Sequence, residues 1–268
     1  MKIAVFGATN PEATRKIEQI LQALPSISVL SSPVSPDDAD MAISVGGDGT
    51  FLRTAAAIGD KGIPILGINA GHLGFLTDIS LEESDTALPG ILIDKRYTVE
   101  ERALIQMEIP GRTEPYNRVA LNEVAVLKRD QSSMVSVTLK VDGEVLNTYD
   151  ADGLCIATPT GSTAYAMSAG GPILEPHSNC FEIVAIAPHS LTTRPLVIRD
   201  SAILNISVES RNGLYLVAVD GVAIPLTTDD ELVLSRAPFH TRVVRRKGHT
   251  FFDTLKAKLM WGQGGIAH

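Results

Sequence analysis

The chain has 268 residues, of which 44% are hydrophobic and 20% charged, with a formal net charge of −8 and a pI near 5.2. This is the composition of an ordinary soluble globular protein with ample core for one large domain or two modest ones, and its acidic balance excludes a broad nucleic-acid footprint. No apolar run approaches the ~20 residues that span a bilayer, so no membrane partner is expected. The start, MKIAVFGATNP, lacks a signal peptide's long apolar region, and the expected location is cytoplasmic.

The first ~95 residues alternate strand and helix patterns. KIAVF is a short apolar strand, and Ile17, Ile20, Leu21 and Leu24 follow at helical spacing. ISVL and MAISV are further strands around a Ser/Pro loop. The sequence SVGGDGTFL then runs from a strand through a glycine turn into a helix seeded by Phe51, Leu52, Ala55 and Ile58. IPILGI is another apolar strand, and Ser80 and Glu83 stand at capping-box spacing before a helix. Continuous apolar strands separated by helices predict a mostly parallel, Rossmann-like sheet covered on both faces.

After Tyr97 the period changes to two. SVTLKV meets a hairpin turn at Asp142–Gly143, and AILNISVE, LYLVAVDG, ELVLSR and TRVVRR repeat the alternation. Residues 96–250 are therefore expected to form a second, all-β-rich domain, α+β overall. The tail FFDTLKAKLMWG returns to helix spacing, and the helix 251–268 is expected to pack back on the 1–95 α/β domain. Cys155 and Cys180 lie in apolar stretches without disulfide or metal spacing and read as buried small hydrophobes. The basic run Arg242 to Lys247 reads as an exposed strand face.

Gly46-Gly47-Asp48-Gly49-Thr50 sits at the C-terminal end of a strand, where open α/β sheets bind ligands. Glycine amides and a helix N-terminus suit phosphate, whereas Asp48 repels it. The aspartate could merely cap the helix, but a cap requires none of the three glycines. The turn is neither a Walker loop nor a dinucleotide fingerprint. Farther along, ADGLCIATPTGSTAYAMSAGGPIL breaks at Pro159 into small hydroxyl residues, Thr160, Ser162 and Thr163, which suit a polar ligand with many hydrogen-bonding edges.

GGDGT resembles the phosphate loop of lipid kinases, NAD kinases and 6-phosphofructokinases, all of which phosphorylate an alcohol. Four more segments resemble NAD kinases alone: GINAGHLGFLTD, LNEVAV, the Thr160 to Ser168 run and PHSLTTRPLVI. The five fall in family order along essentially the whole chain, which is identified as a member of the NAD kinases.

The resemblance implies transfer of the terminal phosphoryl of ATP, or of polyphosphate, to the 2′-hydroxyl of the adenosine ribose of NAD. NADP is the product and a divalent cation, normally Mg²⁺, is required. Asp48 matches the catalytic aspartate, with Gly46, Gly47, Gly49 and Thr50 forming the donor-phosphate loop. Asp48, Gly49, Arg53, Asn122, Glu123, Asp152, Thr163, Ala164, Tyr165 and Ser168 fall where the family lines its NAD site, between the two domains. The metal ligands are not implied. Homodimers or homotetramers are the family's assemblies. His72 reads as a loop stabiliser, His189 has no proton-transfer role, and Arg194 is open between a phosphate or carboxylate contact and a solvated one.

Three positions depart from the commoner pattern. Asp150 replaces a basic residue two before Asp152, Ser133 stands where His or Arg occurs, and Val222 replaces Gln after VDG. NAD versus NADH preference is thereby left open. The rival readings are a lipid-type kinase, which would need an apolar acceptor site that TPTGSTAYAMSAGG does not supply, and a non-catalytic NAD-binding sensor, against which the intact Asp48 weighs.

Overall fold

The computed structural model describes residues 1–7, 11–30, 38–71, 74–112, 118–130 and 134–260. His72, Ser133 and the tail 261–268 lie outside them. The chain divides into two compact units, Met1–Arg102 with the segment from His240 onward, and Ala103–Phe239.

The first unit begins β1 (Lys2–Phe6), α1 (Pro11–Ala23), β2 (Ser28–Leu30), β3 (Met41–Val45) and α2 (Asp48–Ile58). It continues with β4 (Ile65–Asn69), β5 (Ile79–Ser80), α3 (Ser84–Leu92) and β6 (Tyr97–Arg102). Strands β2, β1, β3 and β4 pair side by side in parallel, as the continuous apolar runs require, and β3 and β4 are buried along their whole length. On one face, Ile17 and Leu21 of α1 and Leu88 and Ile91 of α3 pack with Leu66 and Ile68. The opposite pleat faces α2, where a Cβ on Gly67 would stand 3.1 Å from the Phe51 ring. The Ser80–Glu83 capping box forms as expected, with reciprocal amide bonds of 3.2 Å, in the turn just before α3.

The second unit contains β7 (Ile105–Glu108), β8 (Arg118–Ala120), β9 (Glu123–Lys128), β10 (Val135–Val141), β11 (Glu144–Ala151) and β12 (Gly153–Ala157). After a 3-10 turn at Gly161–Thr163 and the short helix α4 (Tyr165–Ser168) come β13 (Cys180–Ile186), β14 (Leu196–Arg199), β15 (Leu204–Ser210), β16 (Leu214–Val219), β17 (Val222–Thr227) and β18 (Leu232–Arg236). They form two six-stranded sheets, β11-β10-β15-β18-β7-β8 and β14-β13-β12-β9-β16-β17. Alternate residues of both, such as Val137 and Leu139 from one and Val126, Ile156 and Phe181 from the other, share a single core. Asp142 and Gly143 close the β10–β11 hairpin with φ of 51° and 86°, the paired left-handed residues of a two-residue hairpin turn. The RNG turn at Arg211–Gly213 instead passes the chain from one sheet to the other.

The last elements, β19 (Thr241–Arg246) and α5 (Phe251–Leu259), belong to the first unit. β19 inserts between β4 and β6, parallel to the one at Val243–Ile65 and antiparallel to the other from Thr241–Arg102 to Arg246–Tyr97. Residues 97–102 and 241–246 therefore extend the N-terminal sheet, although their alternation reads like that of the β-rich region. A two-residue period reports a half-exposed strand, and strands of either unit satisfy it. Thr250 and Asp253 cap α5 reciprocally, and the Phe251 ring lies 6.4 Å from that of Phe75. The described part of the expected 251–268 helix ends with Met260 in the left-handed region.

Candidate active site

In the first unit, the glycine turn follows the buried end of β3. Gly46 has φ +154°, and a Cβ there would meet the Thr50 hydroxyl at 2.4 Å, so the turn accepts only glycine. Gly47 is the N-cap of α2 and has open space where its side chain would be. The backbone amides of Asp48 and Gly49 have no acceptor among the described residues. They stand at the start of an eleven-residue helix, the arrangement that favours an anion. Exposed Arg53, one turn on, donates to the Thr50 hydroxyl at 3.1 Å.

Asp48 does not cap this helix. Its Oδ2 accepts the Phe75 amide at 2.9 Å and its Oδ1 the Leu76 amide at 3.0 Å. A Cβ on Gly74 would stand 2.0 Å from Oδ1, so the loop can approach only as glycine. The carboxylate is half-buried and fixed by a second loop, beside unpaired amides. Gly74, Phe75 and Leu76 lie in the family-like GINAGHLGFLTD segment, but the acceptors of backbone amides have no sequence signature.

In the second unit, Asn122 and Glu123 are buried at the start of β9. Asp220, at φ +46° in the β16–β17 turn, accepts the amides of Leu121, Asn122 and Glu123 at 2.8, 2.8 and 3.1 Å. Burial raises the Asp220 pKa, and these three amides oppose the rise. Sequence reasoning missed Asp220, noting the VDG stretch only for Val222, which is exposed.

The Thr158 amide donates to the Asn122 carbonyl at 2.8 Å and the Thr158 hydroxyl to the Leu121 carbonyl at 2.6 Å. A Cβ on Gly161 would meet the Asn122 carbonyl oxygen at 2.2 Å. The TPTGSTAY turn is thus clamped onto Asn122-Glu123. Contrary to expectation, two of its hydroxyls serve the turn itself. Ser162 is fully buried, donating to the Pro159 carbonyl at 2.7 Å and accepting the Leu174 amide at 2.9 Å, and Thr163 donates to the Thr160 carbonyl at 3.3 Å. Thr163 and Ala164 are half-buried, while Tyr165 and Ser168 are exposed.

Glu123, Cys155, Ala157 and Glu182 share the outer face of their sheet, Ala157 lying in register between Glu123 and Glu182. Burial, then the Asp220 charge, pushes Glu123 up to about 7, with the Tyr165 amide pulling the other way. Glu182 is fully buried with neither oxygen hydrogen-bonded among the described residues, and burial followed by the Glu123 charge brings it also to about 7. Cys155 is a buried free thiol raised by the same burial.

Asp152 joins β11 to β12, paired with Lys128 at 2.6 Å. A Cβ on its neighbour Gly153 would meet the Val126 carbonyl oxygen at 2.3 Å. Asp150 is exposed and accepts from the Ser136 hydroxyl. His189 is exposed, and Arg194 is tied to its own loop through the Leu191 and Thr193 carbonyls, both at 2.8 Å. No group of three or more His, Cys, Asp or Glu side chains that could hold a metal occurs among the described residues.

Residues 9–97 match the ATP-NAD kinase N-terminal domain and residues 121–246 the ATP-NAD kinase C-terminal domain. The chain is 51% identical over 225 residues to an NAD kinase of Bacteroides fragilis (84% of this chain, 77% of that one). It is 45% identical over 227 residues to an NAD kinase of Porphyromonas gingivalis (85% and 78%). Among solved structures, an Archaeoglobus fulgidus NAD kinase in complex with ATP is 32% identical with a TM-score of 0.80 (97% and 99% covered). The fold is also that of yeast NADH kinase complexed with NADH, at TM-score 0.83 and 22% identity (100% and 89%). The glycine turn, the carboxylate it presents and the Asn-Glu strand thus occur in a chain that belongs to the ATP-NAD kinase family.

Proposed function

We propose that this protein phosphorylates NAD to NADP, with ATP as donor and the 2′-hydroxyl of the adenosine ribose as acceptor. The observation that carries the reading is the Asp48 carboxylate, held by the Phe75 and Leu76 amides beside the unpaired amides that open α2. Phosphoryl transfer asks a protein chiefly for positioning and charge stabilisation. Gly46 to Thr50 and the α2 N-terminus receive the donor's phosphates. Asp48 orients the acceptor hydroxyl and takes its proton as the hydroxyl oxygen bonds to the terminal phosphorus. The bond from that phosphorus to the bridging oxygen breaks, and ADP leaves.

Asn122, Glu123 and Asp152, with Thr163 to Ser168, are assigned to NAD, Glu123 accepting from ribose hydroxyls. The amide clamps of Asp220 and Thr158, which fix the Asn122-Glu123 backbone, support that assignment. Arg53, exposed beside Thr50, suits an NAD phosphate.

Mg²⁺ binds through one or two carboxylates together with substrate phosphates and waters rather than an all-protein cage. The residues fit such an ion: Asp48 accepts one amide per oxygen and keeps acceptor capacity on each. Bound with the donor, the cation would offset the charge of the phosphates beside Asp48.

The homo-oligomer and the cytoplasmic location implied by the resemblance belong to the same proposal. No helix among the described residues is long and apolar enough to cross a membrane.

The test is Asp48→Asn, which keeps the side chain's shape. NAD affinity is expected to stay within about threefold while turnover falls at least roughly 100-fold, the scale of a lost general base. NADP formation at the wild-type rate would reject the role of Asp48.

A further inference from the structure

Arg245 departs from the rest of the basic run. Arg242 is exposed and Arg246 half-buried, whereas Arg245 in β19 is only 6% exposed. A buried guanidinium needs acceptors for its fork of donors. Nη2 donates to the Phe75 carbonyl at 2.8 Å, Nε donates to Glu100 Oε2 on the adjoining strand at 3.4 Å, and Nη1 lies 4.0 Å from buried Asp78 Oδ1. Asp78 is itself held by the Arg246 amide, and His249 Nδ1 lies 2.6 Å from its Oδ1.

The Phe75 carbonyl and the Leu76 amide belong to one peptide unit. That unit accepts from Arg245 on its oxygen and donates to Asp48 Oδ1 from its nitrogen. A peptide is planar and its N–H points opposite to its C=O, so anchoring one end fixes the direction of the other. A charged donor on the carbonyl also polarises the unit and strengthens the N–H as a donor. Gly74 directly precedes this peptide. A flip of the peptide would turn the Leu76 amide away from the carboxylate and put a carbonyl oxygen there.

We propose that Arg245 is a positioning residue for phosphoryl transfer, locking the Phe75–Leu76 peptide so that its amide holds Asp48 in the reactive orientation. Arg245 touches no reacting group; it acts only through that peptide and Asp48. This rests on the reading of Asp48 as the catalytic carboxylate.

The experiment is steady-state kinetics with NAD and ATP on Arg245→Met, Arg245→Lys, Asp48→Asn and the double variant Asp48→Asn/Arg245→Lys. A carboxylate displaced by about 1 Å costs on the order of 100-fold in turnover. Arg245→Met is therefore expected to lose roughly 10- to 100-fold in kcat, with KM for both substrates within about threefold. Arg245→Lys keeps the charge but not the fork, and is expected to recover part of the loss. In the Asp48→Asn background, Arg245→Lys is expected to change the residual turnover less than about twofold, because the group it positions is gone.

A folded Arg245→Lys with wild-type kcat would overturn the proposal, as would a loss confined to KM or the same fold-loss in both backgrounds. If Arg245→Met does not fold, Arg245→Lys and the double variant decide alone. Turnover retained by Asp48→Asn would instead sink the catalytic reading itself.

Discussion

Asp48 occupies the first turn of α2, a favoured place for an acidic residue, yet both oxygens are bound to the loop at Phe75–Leu76 rather than to the helix. Gly74→Ala tests that support without touching the carboxylate's chemistry. Its Cβ would lie 2.0 Å from Oδ1, so kcat is expected to fall at least roughly 100-fold; kcat within threefold of wild type would show that Asp48 needs no such support. A second residue-scale prediction concerns Glu182, whose pKa burial and the Glu123 charge raise from 4.5 to about 7. A carboxyl raised on folding holds its proton more tightly in the native state. Its contribution to stability is full below pH ~4.5 and is lost as pH rises through about 7. Glu123, Cys155 and Cys180 are the titratable groups that interact with it, and none of them supplies a cation. Glu182→Gln removes the loss, so its Tm relative to wild type is expected to rise by roughly 2–6 °C between pH 5 and pH 8 in thermal melts. Parallel Tm curves would mean that Glu182 titrates normally. The candidate site residues that carry a family motif were legible in the sequence, whereas Asp220, Lys128 and Glu182, which the structure places beside them, were not. Their parts depend on strands brought together from far apart in the chain, for which no local spacing exists.

At the scale of elements, period and turn chemistry read well where a local cause decides them. The GGDGT turn between β3 and α2, the Asp142–Gly143 hairpin and the Ser80–Glu83 capping box all form where their residues predict. Partner choice is the part that alternation cannot encode: β6 and β19 carry the period of the β-rich region and pair in the N-terminal sheet. The expectation that Ser162 offers its hydroxyl to a ligand failed for a related reason, since the turn must satisfy its own buried carbonyls first. The clamp of this turn on Asn122 gives the element-scale prediction. Gly161→Ala would place a Cβ 2.2 Å from the Asn122 carbonyl oxygen, against backbone that cannot give way as a side chain would. A loss of about 1–3 kcal/mol in urea unfolding is expected, together with weaker NAD binding. Unchanged stability and affinity would show that the turn and β9 move apart freely.

For the molecule as a whole, the two units carry different parts of the proposed chemistry. The N-terminal sheet presents unpaired helix amides and the fixed Asp48; the β-sandwich presents Asn122-Glu123 under a clamped turn. A lipid-type kinase would need an apolar acceptor site, whereas the sheet face beside the clamped turn carries the Glu123 and Glu182 carboxyls. A binding-only protein would have no use for a carboxylate secured by two amides at the N-terminus of α2. The direct measurement is to incubate the purified protein with NAD, ATP and Mg²⁺ and to follow NADP with an NADP-specific dehydrogenase, with polyphosphate replacing ATP in a parallel arm. NADP accumulating in step with ADP in the ATP arm is the expected result. NAD binding with no NADP from either donor would contradict it.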